Sequence, residues 1–426
     1  MTRSIRPLLP LILLAALLTA RGLRAEPDAP QFAPTPLLTL FETGVEWGEH
    51  EYTTDVALGD VDGDGRDETL IARRAEEGAR VLLIDDAAAD FALLRTIGDS
   101  WGVGSYATAV AFGNVDDDPA LEMAVARASS VNERVQVFDD AAAGYVSLGK
   151  FGLEWPPVIH AIDVAFGDVD GDGRDELGIA SNADSGARFH VYDDAAAGFA
   201  PLGSGGETWG ATAVATSIAF GDVDGDGDDE MALGRNHNIN ARFIVYDAPP
   251  DFVPLLQGGE TWGAGSYATA VAFGNVDGDA AAELGVARRA SLNERAYVFD
   301  DAAAGFATLQ VFGQTWASNA YATGIAFGDV DGDGRDEVGL ARHATVNERF
   351  AIYDDARPAG RPPFAPLWAG GATWPGEAYA TVIAFGNVDD TPQAEPAVGR
   401  FAAAGPRAYI FQPVWVTVLP IVSDGS

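Results

Sequence analysis

Gly59-Asp60-Val61-Asp62-Gly63-Asp64-Gly65-Arg66-Asp67-Glu68 is the stretch from which the architecture of this chain can be worked out. Its first glycine returns as Gly113, Gly167, Gly221, Gly274, Gly328 and Gly386, at steps of 54, 54, 54, 53, 54 and 58 residues. Near-constant spacing at this period marks a repeat architecture and overrides the two or three separate domains that 426 residues would otherwise suggest.

The fifth copy shows how one unit is built. Residues 268–276 alternate small and large apolar side chains, as a buried strand does, and the acidic loop follows. Residues 283–290, 294–300 and 306–312 read as three further short strands, separated by turn-forming residues. Four strands per unit describe a propeller blade. The small residues of the first strand let wedges converge on an axis. Phe112, Phe166, Phe220, Phe273, Phe327 and Phe385, with Leu58 in the first copy, stand just before the repeat glycine and are expected to pack between blades. Residues 37–43 resemble a fourth strand without the three before it, whereas the last copy ends after its third. The expected fold is therefore all-β: a seven-bladed propeller of four-stranded antiparallel blades. Residues 37–43 should complete the seventh blade against 407–411, hiding the open edge.

Composition narrows the surroundings. Formal net charge is −38, and Lys150 is the only lysine. So acidic a surface argues against nucleic acid and anionic membrane as partners. The chain has no cysteine, so disulfides, thiolate metal sites and cysteine nucleophiles are excluded. Arg3 and Arg6 followed by an apolar run over 8–20 read as an export signal, with cleavage expected after Ala25. The expected layout is a signal over 1–25, a linker over 26–36, the propeller over 37–414 and a tail over 415–426, in a secreted or extracellular, monomeric protein.

In each acidic loop, positions 1, 3, 5 and 9 offer side-chain oxygens and position 7 a backbone carbonyl. Copy one supplies Asp60, Asp62, Asp64, Arg66 and Glu68; copy three Asp168, Asp170, Asp172, Arg174 and Glu176. Copy four supplies Asp222, Asp224, Asp226, Asp228 and Glu230; copy six Asp329, Asp331, Asp333, Arg335 and Glu337. Two like charges about 4 Å apart repel by roughly 4 kcal/mol at an effective dielectric of about 20, so such loops call for a cation or for raised carboxyl pKa values. Several hard oxygen donors select calcium over zinc or copper. Copies two (Asn114, Asp116, Asp118, Glu122) and five (Asn275, Asp277, Asp279, Glu283) carry Pro119 and Ala280 in place of the glycine at position 6. Copy seven (Asn387, Asp389, Glu395) is broken by Thr391 and Pro392. Four calcium sites are expected, copies two and five stay open, and copy seven is expected to hold none.

These loops, with the Phe-Gly that precedes most of them, resemble FG-GAP repeats, also called VCBS-like repeats, of the kind that build the integrin α-subunit propeller. The resemblance covers all seven copies. It implies calcium held between the first and second strands of several blades, in a structural rather than chemical role. Leg domains, an inserted ligand-binding domain and a membrane anchor are not expected here.

Loops 1–2 and 3–4 of an antiparallel blade share one end, and loops 2–3 and 4–1 the other. The second end is expected to carry Trp47/Tyr52, Trp101/Tyr106, Trp262/Tyr267, Trp316/Tyr321 and Trp374/Tyr379, with Trp155 and Trp209 lacking the tyrosine. It also carries Asn132-Glu133-Arg134, Asn293-Glu294-Arg295 and Asn347-Glu348-Arg349. These residues suit either packing between blades, which is favoured, or a ring of sugar-binding pockets. The five histidines form no metal-ligand spacing, and no nucleophile elbow or phosphate loop is present. The expectation is a non-enzymatic recognition or adhesion module with structural calcium, binding a protein, matrix or glycan ligand at the tryptophan end. The alternatives are a multivalent lectin or, behind it, a polysaccharide lyase.

Overall fold

The computed structural model describes residues 37–414 apart from 117, 211, 238–239, 250–251 and 358–360; the expected export segment, linker and tail lie outside the described residues. Strand β1 (Leu38–Thr43) comes first. Blade one follows as β2 (Tyr52–Gly59), β3 (Glu68–Arg74), β4 (Val81–Ile84) and β5 (Leu93–Ile97). The same four-strand unit repeats through β6–β9, β10–β13, β14–β17, β18–β21 and β22–β25 over residues 106–370. The seventh sheet is β26 (Tyr379–Gly386), β27 (Glu395–Phe401), β28 (Ala408–Gln412) and β1, paired antiparallel from Leu38↔Gln412 to Thr43↔Ala408. The closure read from residues 37–43 is thus observed. The fold is a seven-bladed, four-stranded antiparallel β-propeller.

Strand ends differ from expectation for local reasons. In blade five the third strand is only Ala296–Phe299, because Arg295 is drawn into the turn before it. The fourth begins at Thr308, because Phe306 sits in the turn with φ 54°.

Neighbouring blades are joined by three repeated contacts. The repeat glycines abut the aromatic residue of the next blade. A Cβ on Gly59 would meet Phe112, one on Gly113 would lie 2.3 Å from Phe166 Cβ, and one on Gly386 would meet Leu58. The glycine is required by close approach, not by backbone conformation. Near the axis, a bulge threonine in six of the seven inner strands donates to a carbonyl of the next: Thr54 to Ala107, Thr108 to Ala161, and on to Thr381, which bonds Thr53 O at 2.8 Å. Only blade three, with Ile162 there, lacks this hydroxyl. At the acidic end, the position-8 N–H of each blade donates to the position-1 carbonyl of the blade before it, for example Leu121 N to Asp60 O and Asp67 N to Asn387 O.

The glycine contact makes a simple prediction. Gly113→Ala should lower stability by about 1–3 kcal/mol through overpacking against Phe166. Gly102→Ala, where an added Cβ meets nothing within 4 Å, should change it by less than about 0.5 kcal/mol. Urea unfolding in saturating calcium measures both.

Candidate metal centres

The acidic loop folds around its own first residue. Asp60 Oδ1 accepts from Gly63 N at 2.7 Å, and Asp60 Oδ2 from Gly65 N at 2.8 Å. Both glycines take positive φ, 78° and 91°, which makes the turn tight enough for the carboxylate to reach them. Copies three, four and six repeat this arrangement around Asp168, Asp222 and Asp329.

Copies two, five and seven use a different closure. There the position-1 asparagine donates its Nδ2 to the position-5 carbonyl: Asn114 to Asp118, Asn275 to Asp279, Asn387 to Thr391. An amide donor at position 1 dispenses with the N–H acceptance that Gly65 requires, so proline or alanine fits at position 6. The asparagines also answer to the next blade. Asp67, Asp175 and Asp336, at position 8, each accept the backbone N–H of Asn387, Asn114 and Asn275 respectively through Oδ2. A neutral amide there spares a third carboxylate beside that staple. Where copy three instead keeps Asp168, the following Asp229 is pushed up to about 6, first by burial and then by the charge of Asp175.

Position 9 points inward in every blade. Glu68, Glu122, Glu176, Glu230, Glu283, Glu337 and Glu395 are at most 1% exposed. Each accepts the position-2 N–H through Oε2, as Glu68 does from Val61 at 2.8 Å. Each leaves Oε1 buried without a hydrogen-bond partner among the described residues. Burial raises the first five, and Glu395, to about 8, and Glu337 to about 10.

Carboxylate oxygens of Asp60, Asp62 and Glu68 lie within 4.8 Å of one another, as do those of Asp168, Asp170 and Glu176. Positions 1, 3 and 9 are therefore brought together as expected. Position 5 is turned elsewhere in three blades. Asp64, Asp172 and Asp333 pair with the guanidinium groups of Arg66, Arg174 and Arg335, which also reach Asp86, Asp194 and Asp355. The arginine at position 7 thus acts through its side chain, supplying positive charge between two loops.

The turn between the third and fourth strands holds carboxylates that the sequence reading left out of the site. Oxygens of Glu68, Asp85 and Asp86 fall within 4.8 Å of one another, as do those of Asp116, Glu122 and Asp139, and of Glu176, Asp193 and Asp194. The first turn aspartate recurs as Asp85, Asp139, Asp193, Asp247, Asp300 and Asp354, at the same steps as the repeat glycine. That periodicity was the available signal. An all-oxygen donor set with an unpartnered buried carboxylate oxygen suits a hard cation, so the residues present fit calcium.

The opposite end is built on arginine. Arg80, Arg134, Arg188, Arg242, Arg295, Arg349 and Arg407 are at most 1% exposed. Their guanidinium groups donate to main-chain carbonyls of the 2–3 turn and the 4–1 loop. The asparagine of Asn-Glu-Arg fills a left-handed turn position, at φ 72°, 68° and 65° in Asn132, Asn293 and Asn347, where other blades have Gly78, Gly186 and Gly405. A second arginine covers six of the seven tryptophans of the 4–1 loops: Arg73 lies 4.6 Å from the Trp47 ring centre, Arg127 4.4 Å from Trp101, and Arg288 4.5 Å from Trp262. Trp209, Trp316 and Trp374 are covered alike by Arg235, Arg342 and Arg400. Trp155, whose blade has Ser181 at that place, stacks on His190 at 5.1 Å.

No family model and no curated protein matches the chain. Solved structures do. A structure titled as the Dos1 propeller aligns with TM-score 0.51 at 13% identity over 84% of this chain and 77% of its own. A Bacillus licheniformis rhamnogalacturonan lyase of family PL11 aligns with TM-score 0.49 at 14% identity, covering 89% and 76%. The exotype rhamnogalacturonan lyase YesX gives 0.45 at 13%, covering 89% and 76%. The first of these likenesses shows the propeller fold. The expectation that the chain is not an enzyme is withdrawn, since rhamnogalacturonan lyases stand among its structural neighbours; the lack of a familiar catalytic motif excludes no activity here.

Proposed function

We propose that this chain is an FG-GAP-like, calcium-stabilised propeller that works outside the cell by recognising a macromolecular partner. Position-3 aspartate and position-9 glutamate of the acidic loops, with position 1 where it is aspartate, would hold the ions. The bound metal would neutralise the crowded carboxylates and lock neighbouring loops together. The observation that carries this reading is the opposition of the two ends. One end gathers carboxylates around buried unpartnered oxygens. The other displays aliphatic side chains: Val45, Val103, Val131, Leu153, Val158, Leu292 and Val346 are between 55% and 87% exposed, all in loops 2–3 and 4–1. Exposed apolar side chains gathered at one end of the ring suit contact with a protein surface. The arginines covering the tryptophans take the ring faces that sugars would need, which favours a protein or matrix ligand over a glycan.

A panel of matrix proteins and a glycan array, both in millimolar calcium, test the assignment. Binding should appear on the protein panel. It should be lost when Val103→Asp, Leu292→Asp and Val346→Asp are combined, with the melting temperature unchanged. Binding to glycans alone, or protein binding indifferent to the triple variant, would overturn it.

A further inference from the structure

The ions proposed above are assigned by sequence to one loop of each blade. The structure places a second loop on the same carboxylates. Glu68 is fully buried; its Oε2 accepts from Val61 N, and its Oε1 has no hydrogen-bond partner. The carboxylates that approach it come from both sides: Asp60 and Asp62 from loop 1–2, Asp85 and Asp86 from loop 3–4. Of the turn pair, Asp86 is already committed. Its Oδ1 accepts from Ala89 N at 2.9 Å, and its Oδ2 pairs with Arg66. Asp85 Oδ1 accepts only the adjacent Asp86 N at 3.0 Å, which leaves its carboxylate available.

We propose that the first aspartate of the strand 3–4 turn, namely Asp85, Asp139, Asp193, Asp247 and Asp300, is a ligand of the same calcium ion, so that each of these ions clamps both acidic-end loops of its blade; in blade six the counterpart Asp354 is already paired through Oδ2 with Arg361 at 2.8 Å. This rests on the reading that the loops hold calcium at all.

Two consequences set it apart from a single-loop site. Blades two and five become full sites despite Pro119 and Ala280. In blade two the oxygens of Asp116, Glu122 and Asp139 already lie within 4.8 Å of one another, drawn from both loops. Blade five has the same residue types at the same places, in Asp277, Glu283 and Asp300, and calcium there would displace Arg357 from Asp277 Oδ2. Blade seven drops out. The place of the turn aspartate is taken by Gln412, whose Nε2 donates to Asp389 Oδ2 at 3.2 Å, while Asp389 Oδ1 accepts from Thr391 N at 2.7 Å. Asp389 is thereby satisfied by uncharged donors, and Asn387 brings no charge. Glu395 then faces one loop carboxylate, Asp389, whose oxygens are already bonded to uncharged donors, and no turn aspartate.

Calcium stoichiometry of the full chain, by equilibrium dialysis against calcium-45, decides the matter. One ion per blade is expected for blades one to six. Asp139→Asn and Asp300→Asn should each remove one ion. The asparagine keeps the Oδ1 that accepts the following N–H, at 3.0 Å from Asp140 N in blade two, so the turn persists. Circular dichroism confirms the fold of each variant. If the wild type binds calcium but both variants bind as many ions, the two-loop site is wrong and the calcium reading stands. If the wild type binds none, the calcium reading itself fails.

Discussion

Calcium is expected to raise the melting temperature far more at pH 8 than at pH 5, and in chelator the melting temperature should fall between those values. The cause lies in the position-9 glutamates. Burial raises Glu68, Glu122, Glu176, Glu230 and Glu283 from 4.5 to about 8. A carboxyl whose folded pKa is raised binds its proton more tightly in the folded state. Its contribution to stability is complete below the unfolded value near 4.5 and is lost as pH rises through about 8. Without metal, the window from about pH 4.5 to 8 is therefore one of progressive destabilisation, with the repulsion of Asp64 and Asp60 on Asp62 adding to the effect of its burial. A divalent ion replaces the proton. At pH 5 it must displace protons to bind, whereas at pH 8 it meets carboxylates already losing theirs. An ion at a hundredfold excess over its Kd adds about 2.7 kcal/mol per site that the unfolded chain lacks. Differential scanning fluorimetry at the two pH values, with calcium and with EDTA, reads the effect. Equal calcium responses, or a melting temperature that climbs with pH in EDTA, would refute it.

The ring was legible because its signals are local and repeated. Period, strand alternation and the unpaired strand at 37–43 are all properties of consecutive residues. What escaped were residues whose task lies in another loop or blade. Asp85 and its counterparts follow a strand and precede a turn, where aspartate is a common turn former, so nothing local marks them as part of a carboxylate cluster. Asp67 stands beside Glu68 in the motif, yet it reaches across to the seventh blade and holds Asn387 N at 2.7 Å. In the sequence, the exchange of aspartate for asparagine in copies two, five and seven bears only on whether those loops hold calcium. In the structure it accompanies position-8 aspartates in copies three, six and one, which is a relation between neighbours that no single copy displays. The tryptophans were legible as packing residues, but not their partners. Arginine is rarely buried without a carboxylate, and reading Asn-Glu-Arg as a unit hid the fact that only its arginine recurs in all seven copies.

That arginine leads to the second large effect. Arg188→Met is expected to destabilise the propeller by about 3 kcal/mol or more, and Arg188→Lys to recover little of it. Arg188 is 1% exposed and pairs with no carboxylate among the described residues. Its Nε donates to Ala213 O at 3.2 Å, Nη1 to Gly186 O at 2.5 Å, and Nη2 to Asp184 O at 2.8 Å and Gly210 O at 3.1 Å. These carbonyls belong to the 2–3 turn of blade three and to the loop that carries the chain into blade four. One planar group thus satisfies the irregular backbone at a blade junction, where no strand partner is available. Methionine fills much of the volume but strands the carbonyls, each at about 1–3 kcal/mol if it stays buried. Lysine keeps the charge but has one nitrogen where the guanidinium has three, so it cannot span acceptors on both loops. Urea unfolding of the two variants in saturating calcium separates geometry from charge. Near-native stability of Arg188→Lys would show that a buried cation suffices; near-native stability of Arg188→Met would show that the carbonyls find water instead, and that the pin is dispensable.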